Sequence, residues 1–88
     1  PKVSIAWAGD SRAIVAQTNG TIIYETKDHK PNQPEELTRI NALVRDNSNK
    51  VMQDNTNVWR TAGLAISRCL GDTSAKDASP GVIATPEI

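Results

Sequence analysis

Residues 3–25, VSIAWAGDSRAIVAQTNGTIIYE, set three apolar runs around two corners. The runs 3–8, 13–17 and 21–25 are short, rich in small or β-branched residues and bounded by turn formers, which is the pattern of strands. Asp10 and Ser11 stand at the first corner, Asn19 and Gly20 at the second. Asn and Gly both tolerate the positive φ of a two-residue hairpin turn, so the stretch predicts a three-stranded meander. Two readings of Asp10 stay open: a side chain that caps its own corner, or a carboxylate held out to bind something.

Downstream the period changes. In KDHKPNQPEELTRINALV, residues 27–44, Leu37, Ile40, Leu43 and Val44 recur at helical spacing. Asn32 followed by Glu35 resembles a capping box and Pro34 suits a first turn, so a helix is predicted over 33–45 with Glu35 and Arg39 paired across one turn. RDNSNKVMQDNTN, residues 45–57, is rich in Asn and Asp, which favour turns, and predicts a polar excursion with a short strand at 50–53. Apolar residues return in WRTAGLAISRCLGD, residues 59–72, with a short helix expected at 67–70. TSAKDASPG reads as a loop and VIATPEI as a closing strand.

Composition bounds the rest. The chain has 88 residues, 38% of them hydrophobic, with no Phe, two Trp and one Tyr. That supports one domain with a small, mainly aliphatic core, a size at which external support is common. Cys69 is the single cysteine, which excludes an intrachain disulfide and favours a reducing intracellular setting, cytoplasmic or nuclear. Ten basic residues balance ten acidic ones, so no net field favours nucleic acid or an anionic membrane, and neither is an expected partner. No apolar run approaches the roughly 20 residues of a membrane span. The chain begins on Pro, not Met, in strand-like sequence, and is expected to be a piece of a longer protein.

Three stretches taken together carry a resemblance: GDSRA from Gly9, KDHKPNQPEELTRI from Lys27, and WRTAGLAISRCLGD from Trp59, with VIATPEI closing the chain. In that order they resemble the middle of a type 2C, metal-dependent (PPM-type) Ser/Thr protein phosphatase. The resemblance implies an α+β fold, the central part of an α-β-β-α sandwich in which two antiparallel sheets are flanked by helices, truncated here at both ends. Residues 1–88 would be a partial phosphatase domain, and the excursion at about 44–58 its flap, beside the active site. Where relatives usually carry Ala-Gly-Gly after the helix, this chain has NALVRDNSN, so its flap departs from the pattern.

Enzymes of this family hold a pair of Mg²⁺ or Mn²⁺ ions on carboxylates and use them to activate a water that attacks phosphorus. Hard cations prefer oxygen ligands, which suits aspartate. The resemblance makes Asp10 a ligand of an additional, weaker ion in the intact enzyme. The Asp-Gly-His-Gly and Asp-Gly segments that carry the main ligands do not occur in this sequence. The chain alone is therefore expected to be inactive. Asp46 and Asp54, each followed by Asn, precede the Ser-Arg-x-Leu-Gly-Asp element instead of following it and read as turn residues.

Arg60, at the flap's return, is the candidate substrate-binding group, since a guanidinium can meet phosphate bidentately. For Arg12, Arg60 and Arg68 alike, the competing reading is a salt bridge to Asp72 or Glu87. His29 reads as structural and Ser67 lacks an adjacent base, so no catalytic residue is assigned to the chain. Cys69 reads as a buried small side chain, and Trp59 either anchors the flap or presents an aromatic surface. The expected partners are a phosphoprotein substrate, a regulatory protein at the flap and, through open sheet edges, a second copy of the chain. The alternative function is that of a phosphatase-like regulatory domain without turnover.

Overall fold

In the computed structural model, which describes residues 2–88, two of the three runs in the opening stretch pair as expected. β1 (Ile14–Ala16) and β2 (Ile22–Glu25) lie antiparallel, with Ile14 opposite Glu25 and Val15 opposite Tyr24. Ala16 then meets Ile22, so Ile23 is one residue in excess and bulges the strand. The connection corrects the two-residue turn. Gln17 N–H donates to Thr21 O at 2.8 Å and Gly20 N–H to Gln17 O at 2.9 Å, closing a three-residue loop. Gly20 alone takes a positive φ, +90°, while the Asn19 side chain accepts from Thr21 N–H. A type I turn followed by a left-handed residue makes such a loop, and Gly supplies that residue without strain.

The predicted strand at 3–8 does not form a ladder. Its pairing is confined to Trp7, which exchanges two backbone hydrogen bonds of 3.0 Å with Glu87, and Val3 is 72% exposed. A strand persists only where a neighbour satisfies successive N–H and C=O groups. The closing strand 82–88 is reduced for the same reason to bridges at Ile83 and Glu87.

α1 (Pro34–Leu43) is capped by Gln33 instead of Asn32. The residue before a proline is driven out of the helical region, and Gln33 accordingly sits at φ −62°, ψ 131°, the extended geometry an N-cap needs. Its side-chain oxygen accepts from Glu36 N–H at 3.1 Å, and its amide nitrogen donates to Glu35. The helix stops two residues short of the expected end because Val44 turns extended and enters the core. Ile40, Val44, Cys69 and Val82 form that core. Gly81 lets the chain approach closely, since a Cβ there would lie 3.0 Å from Cγ2 of both Ile40 and Val44.

No helix forms at 67–70. Backbone groups there are taken by distant partners: Ser67 N–H donates to His29 O, Cys69 N–H to Ile83 O, and Arg68 bridges Ile83 in parallel. The helix lies further on, where a loop was expected, as α2 (Thr73–Ala78), and Lys76 Nζ ties it back to Cys69 O at 2.8 Å.

The polar excursion is ordered by its own side chains. Asp46 accepts from Ser48 N–H and caps a 3₁₀ turn, Asn47–Asn49. β3 (Met52–Gln53) and β4 (Trp59–Arg60) then pair antiparallel around a turn closed by Asp54 N–H to Val58 O, with Asn57 at φ +66°. Thr61, buried, donates its hydroxyl to Asn49 O at 2.8 Å and fastens the hairpin to the 3₁₀ turn. The described residues form an α+β fold, with two small antiparallel sheets and two α-helices. Among the described residues no helix is long and apolar enough to cross a membrane.

Candidate functional site

Gly9 opens the first corner at φ +135°, a backbone conformation that side chains disfavour. His29 grips it from both sides, its N–H donating to Gly9 O and its Nδ1 accepting from Gly9 N–H, each at 2.9 Å. With Nδ1 accepting, the neutral ring carries its proton on Nε2 and donates it to Glu87 Oε1 at 2.9 Å. The imidazole is 1% exposed and lies nearly parallel to Trp7, ring centroids 5.9 Å apart. Trp7 is held in turn by its bridge to Glu87 and by indole donation to Lys27 O. His29 is thus a structural clamp on the corner.

Asp10 follows the clamped glycine. Its Oδ2 accepts from Lys30 Nζ at 2.7 Å, and the same ammonium donates to Ala65 O at 3.4 Å. Among the described residues its carboxylate takes no corner N–H, so the self-capping reading is corrected. Asp10 and Lys30 side chains are 46% and 43% exposed, and the pair faces water. As a site for a hard cation, Asp10 offers a suitable oxygen donor that already attracts a positive charge. Among the described residues no group of three or more His, Cys, Asp or Glu assembles that could hold a metal ion.

The three arginines find carboxylates other than Asp72 and Glu87. Arg12 takes Asp28 bidentately at 3.1 Å and reaches Glu25 at 3.7 Å. Arg60, on β4, donates to Asp54 Oδ2 at 2.9 Å and to Gly63 O at 3.2 Å. Hydrogen bonds from the Thr56 hydroxyl and Arg60, with the Val58 and Thr56 N–H groups, hold the Asp54 carboxyl far below the usual range. Asp54 therefore organises the turn, and Arg60 lines a hollow of about 200 Å³ with Lys50 and Met52. No hydrogen bond or ion pair joins Arg60 to Asp10. Trp59, beside Arg60 on β4, is 39% exposed.

Glu36 was not singled out from the sequence. It is 2% exposed and receives Arg68 Nε at 2.7 Å, Arg68 Nη2 at 3.0 Å, Arg39 at 3.1 and 3.2 Å, and the Ser67 hydroxyl at 2.8 Å. Arg39 pairs here, one residue beyond the expected Glu35, which faces Lys27. Burial works to raise the Glu36 pKa, but Arg68, Arg39 and Ser67 outweigh it and hold it at about 2. Ser67 is wholly buried and engaged, so it offers no nucleophile. The Cys69 thiol is pushed up by burial and by Asp72.

The protein phosphatase 2C family model matches residues 2–88. Probable protein phosphatase 2C 78 of Arabidopsis thaliana is 39% identical over 87 residues, 99% of this chain and 19% of its own length. Probable protein phosphatase 2C 11 of the same plant is 41% identical, over 99% of this chain and 21% of its own length. For probable protein phosphatase 2C 45 of Oryza sativa subsp. japonica the values are 41%, 99% and 28%. The chain thus spans roughly a fifth to a quarter of these relatives, and no solved structure matches it. A family match running from residue 2 to residue 88, through the clamped Gly9 corner and the Glu36–Arg68 pair, makes the chain a member of the protein phosphatase 2C family.

Proposed function

We propose that this chain works as the middle segment of a Mg²⁺- or Mn²⁺-dependent phosphatase that hydrolyses phosphoserine and phosphothreonine on proteins. The observation that carries the reading is the family match over residues 2–88. The metal ions would supply an activated water for attack on phosphorus and neutralise charge on the phosphoryl oxygens. Asp10 contributes one carboxylate to an additional ion, held in place by the His29 grip on Gly9. Arg60, poised on the rim of a hollow in the flap at about 44–58, meets substrate phosphate when it exchanges Asp54 for the incoming anion. The exposed Trp59 suits a regulatory protein docking on the same flap. A reducing intracellular compartment accords with the single, buried cysteine.

The chain alone carries one carboxylate of the set and is expected to show no turnover. The test is phosphate release from a phosphoserine peptide by a full-length protein of the relatives' size that carries this chain, with Mn²⁺ and with chelator. Metal-dependent release supports the reading. A folded protein that retains its flanking aspartates yet releases no phosphate overturns it in favour of a regulatory domain without turnover.

A further inference from the structure

The loop that grips the Gly9 corner also delivers a cation to the next residue. His29 fixes the loop by two hydrogen bonds to Gly9 and by Ser67 N–H on its carbonyl, so the Lys30 stem starts from a rigid point. The Lys30 ammonium reaches Asp10 Oδ2 at 2.7 Å, steadied by Ala65 O at 3.4 Å. Asp28, a second carboxylate on this loop, is taken by both arms of the Arg12 guanidinium. Lysine is the apt residue for a reversible partner, being a strongly hydrated point charge on a flexible stem, whereas arginine's fork holds carboxylate in fixed geometry. Both members of the Asp10–Lys30 pair are more than 40% exposed, so an ion arriving from water meets the carboxylate and the displaced ammonium returns to water.

We propose that Lys30 is the protein's own counter-cation for Asp10, competing with a divalent metal ion for that carboxylate and thereby weakening the additional metal site. The inference rests on Asp10 being a ligand of that ion. Removing the ammonium frees the carboxylate and removes like-charge repulsion. The expected gain in affinity is about two- to five-fold, the factor to which an exposed ion pair amounts.

The experiment titrates the full-length protein with Mn²⁺ and reads free ion by electron paramagnetic resonance. Wild type is compared with Asp10→Asn, Lys30→Met, Lys30→Gln and Lys30→Arg, each checked for fold by circular dichroism. Asp10→Asn is expected to lose the weakest bound ion, Lys30→Met and Lys30→Gln to bind it about two- to five-fold tighter, and Lys30→Arg, whose fork holds carboxylate more firmly, to bind it no tighter than wild type. If Asp10→Asn retains every ion, the assignment of Asp10 is wrong. If Asp10→Asn loses the ion but Lys30→Met and Lys30→Gln bind it no tighter than wild type, Asp10 stands and the competition is overturned.

Discussion

Arg68 Nε donates to Glu36 Oε1 over 2.7 Å, joining α1 to a segment 32 residues further along the chain. Arg39, from the same helix as Glu36, adds the second guanidinium. Breaking a buried pair by removing one partner leaves the other charge uncompensated. Glu36→Ala is therefore expected to destabilise a folded protein carrying this chain by about 3–5 kcal/mol, read by urea unfolding. A change below about 1 kcal/mol, the range of exposed pairs, would show that the network does not hold the fold.

The same carboxylate predicts a pH dependence. Its pKa falls from an ordinary 4.5 to about 2 on folding. A depressed folded pKa means that the stabilisation is complete above the unfolded value and is lost as pH falls through the folded one. The gap in stability between wild type and Glu36→Gln should hold above about pH 5 and shrink between there and about pH 2, by on the order of 3 kcal/mol. A gap that stays constant over that window contradicts the assignment.

Gly81 is a packing requirement. Adding a methyl there drives it to 3.0 Å from two core methyl groups, Cγ2 of Ile40 and of Val44. Gly81→Ala is expected to cost about 1–3 kcal/mol, as overpacked cores do. Val44→Ala removes one of the opposed methyl groups, so the double variant should lose less than the sum of the singles. Simple additivity in chemical denaturation would argue against the contact.

Asp54 orders the hairpin locally. Its carboxylate accepts from Thr56 N–H, the Thr56 hydroxyl, Val58 N–H and Arg60. Asp54→Ala should speed amide hydrogen exchange at Thr56 and Val58 while leaving exchange in α1 unchanged. Equal acceleration in both places would mean that the turn and the core open together.

Which features were legible followed from how local their causes are. The β1–β2 hairpin and α1 rest on nearest-neighbour chemistry: branched apolar runs, a glycine at the turn, and a proline at the first helical position. Misreadings arose where two local signals competed. Asn32 looked the better cap by residue type, but Pro34 forces the preceding residue into cap geometry and hands the role to Gln33. Glu35 and Glu36 are neighbours of one type, and only packing chose which of them turned inward to Arg39 and Arg68.

By itself the sequence determined the family, through three ordered motifs, and the position of Asp10 at a corner ahead of the first hairpin. It also placed the turn-forming aspartates, since Asp46 and Asp54 bond to backbone within a few residues. The tertiary structure decided which charges meet: Asp10 with Lys30, Arg12 with Asp28, Arg60 with Asp54, and Glu36 with Arg68. It also decided that 67–70 forms no helix and that residues 3–8 pair at one point. The division has a physical cause. Turns and caps are fixed by atoms a few bonds apart, whereas a buried ion pair or a strand depends on which distant segment arrives to satisfy it.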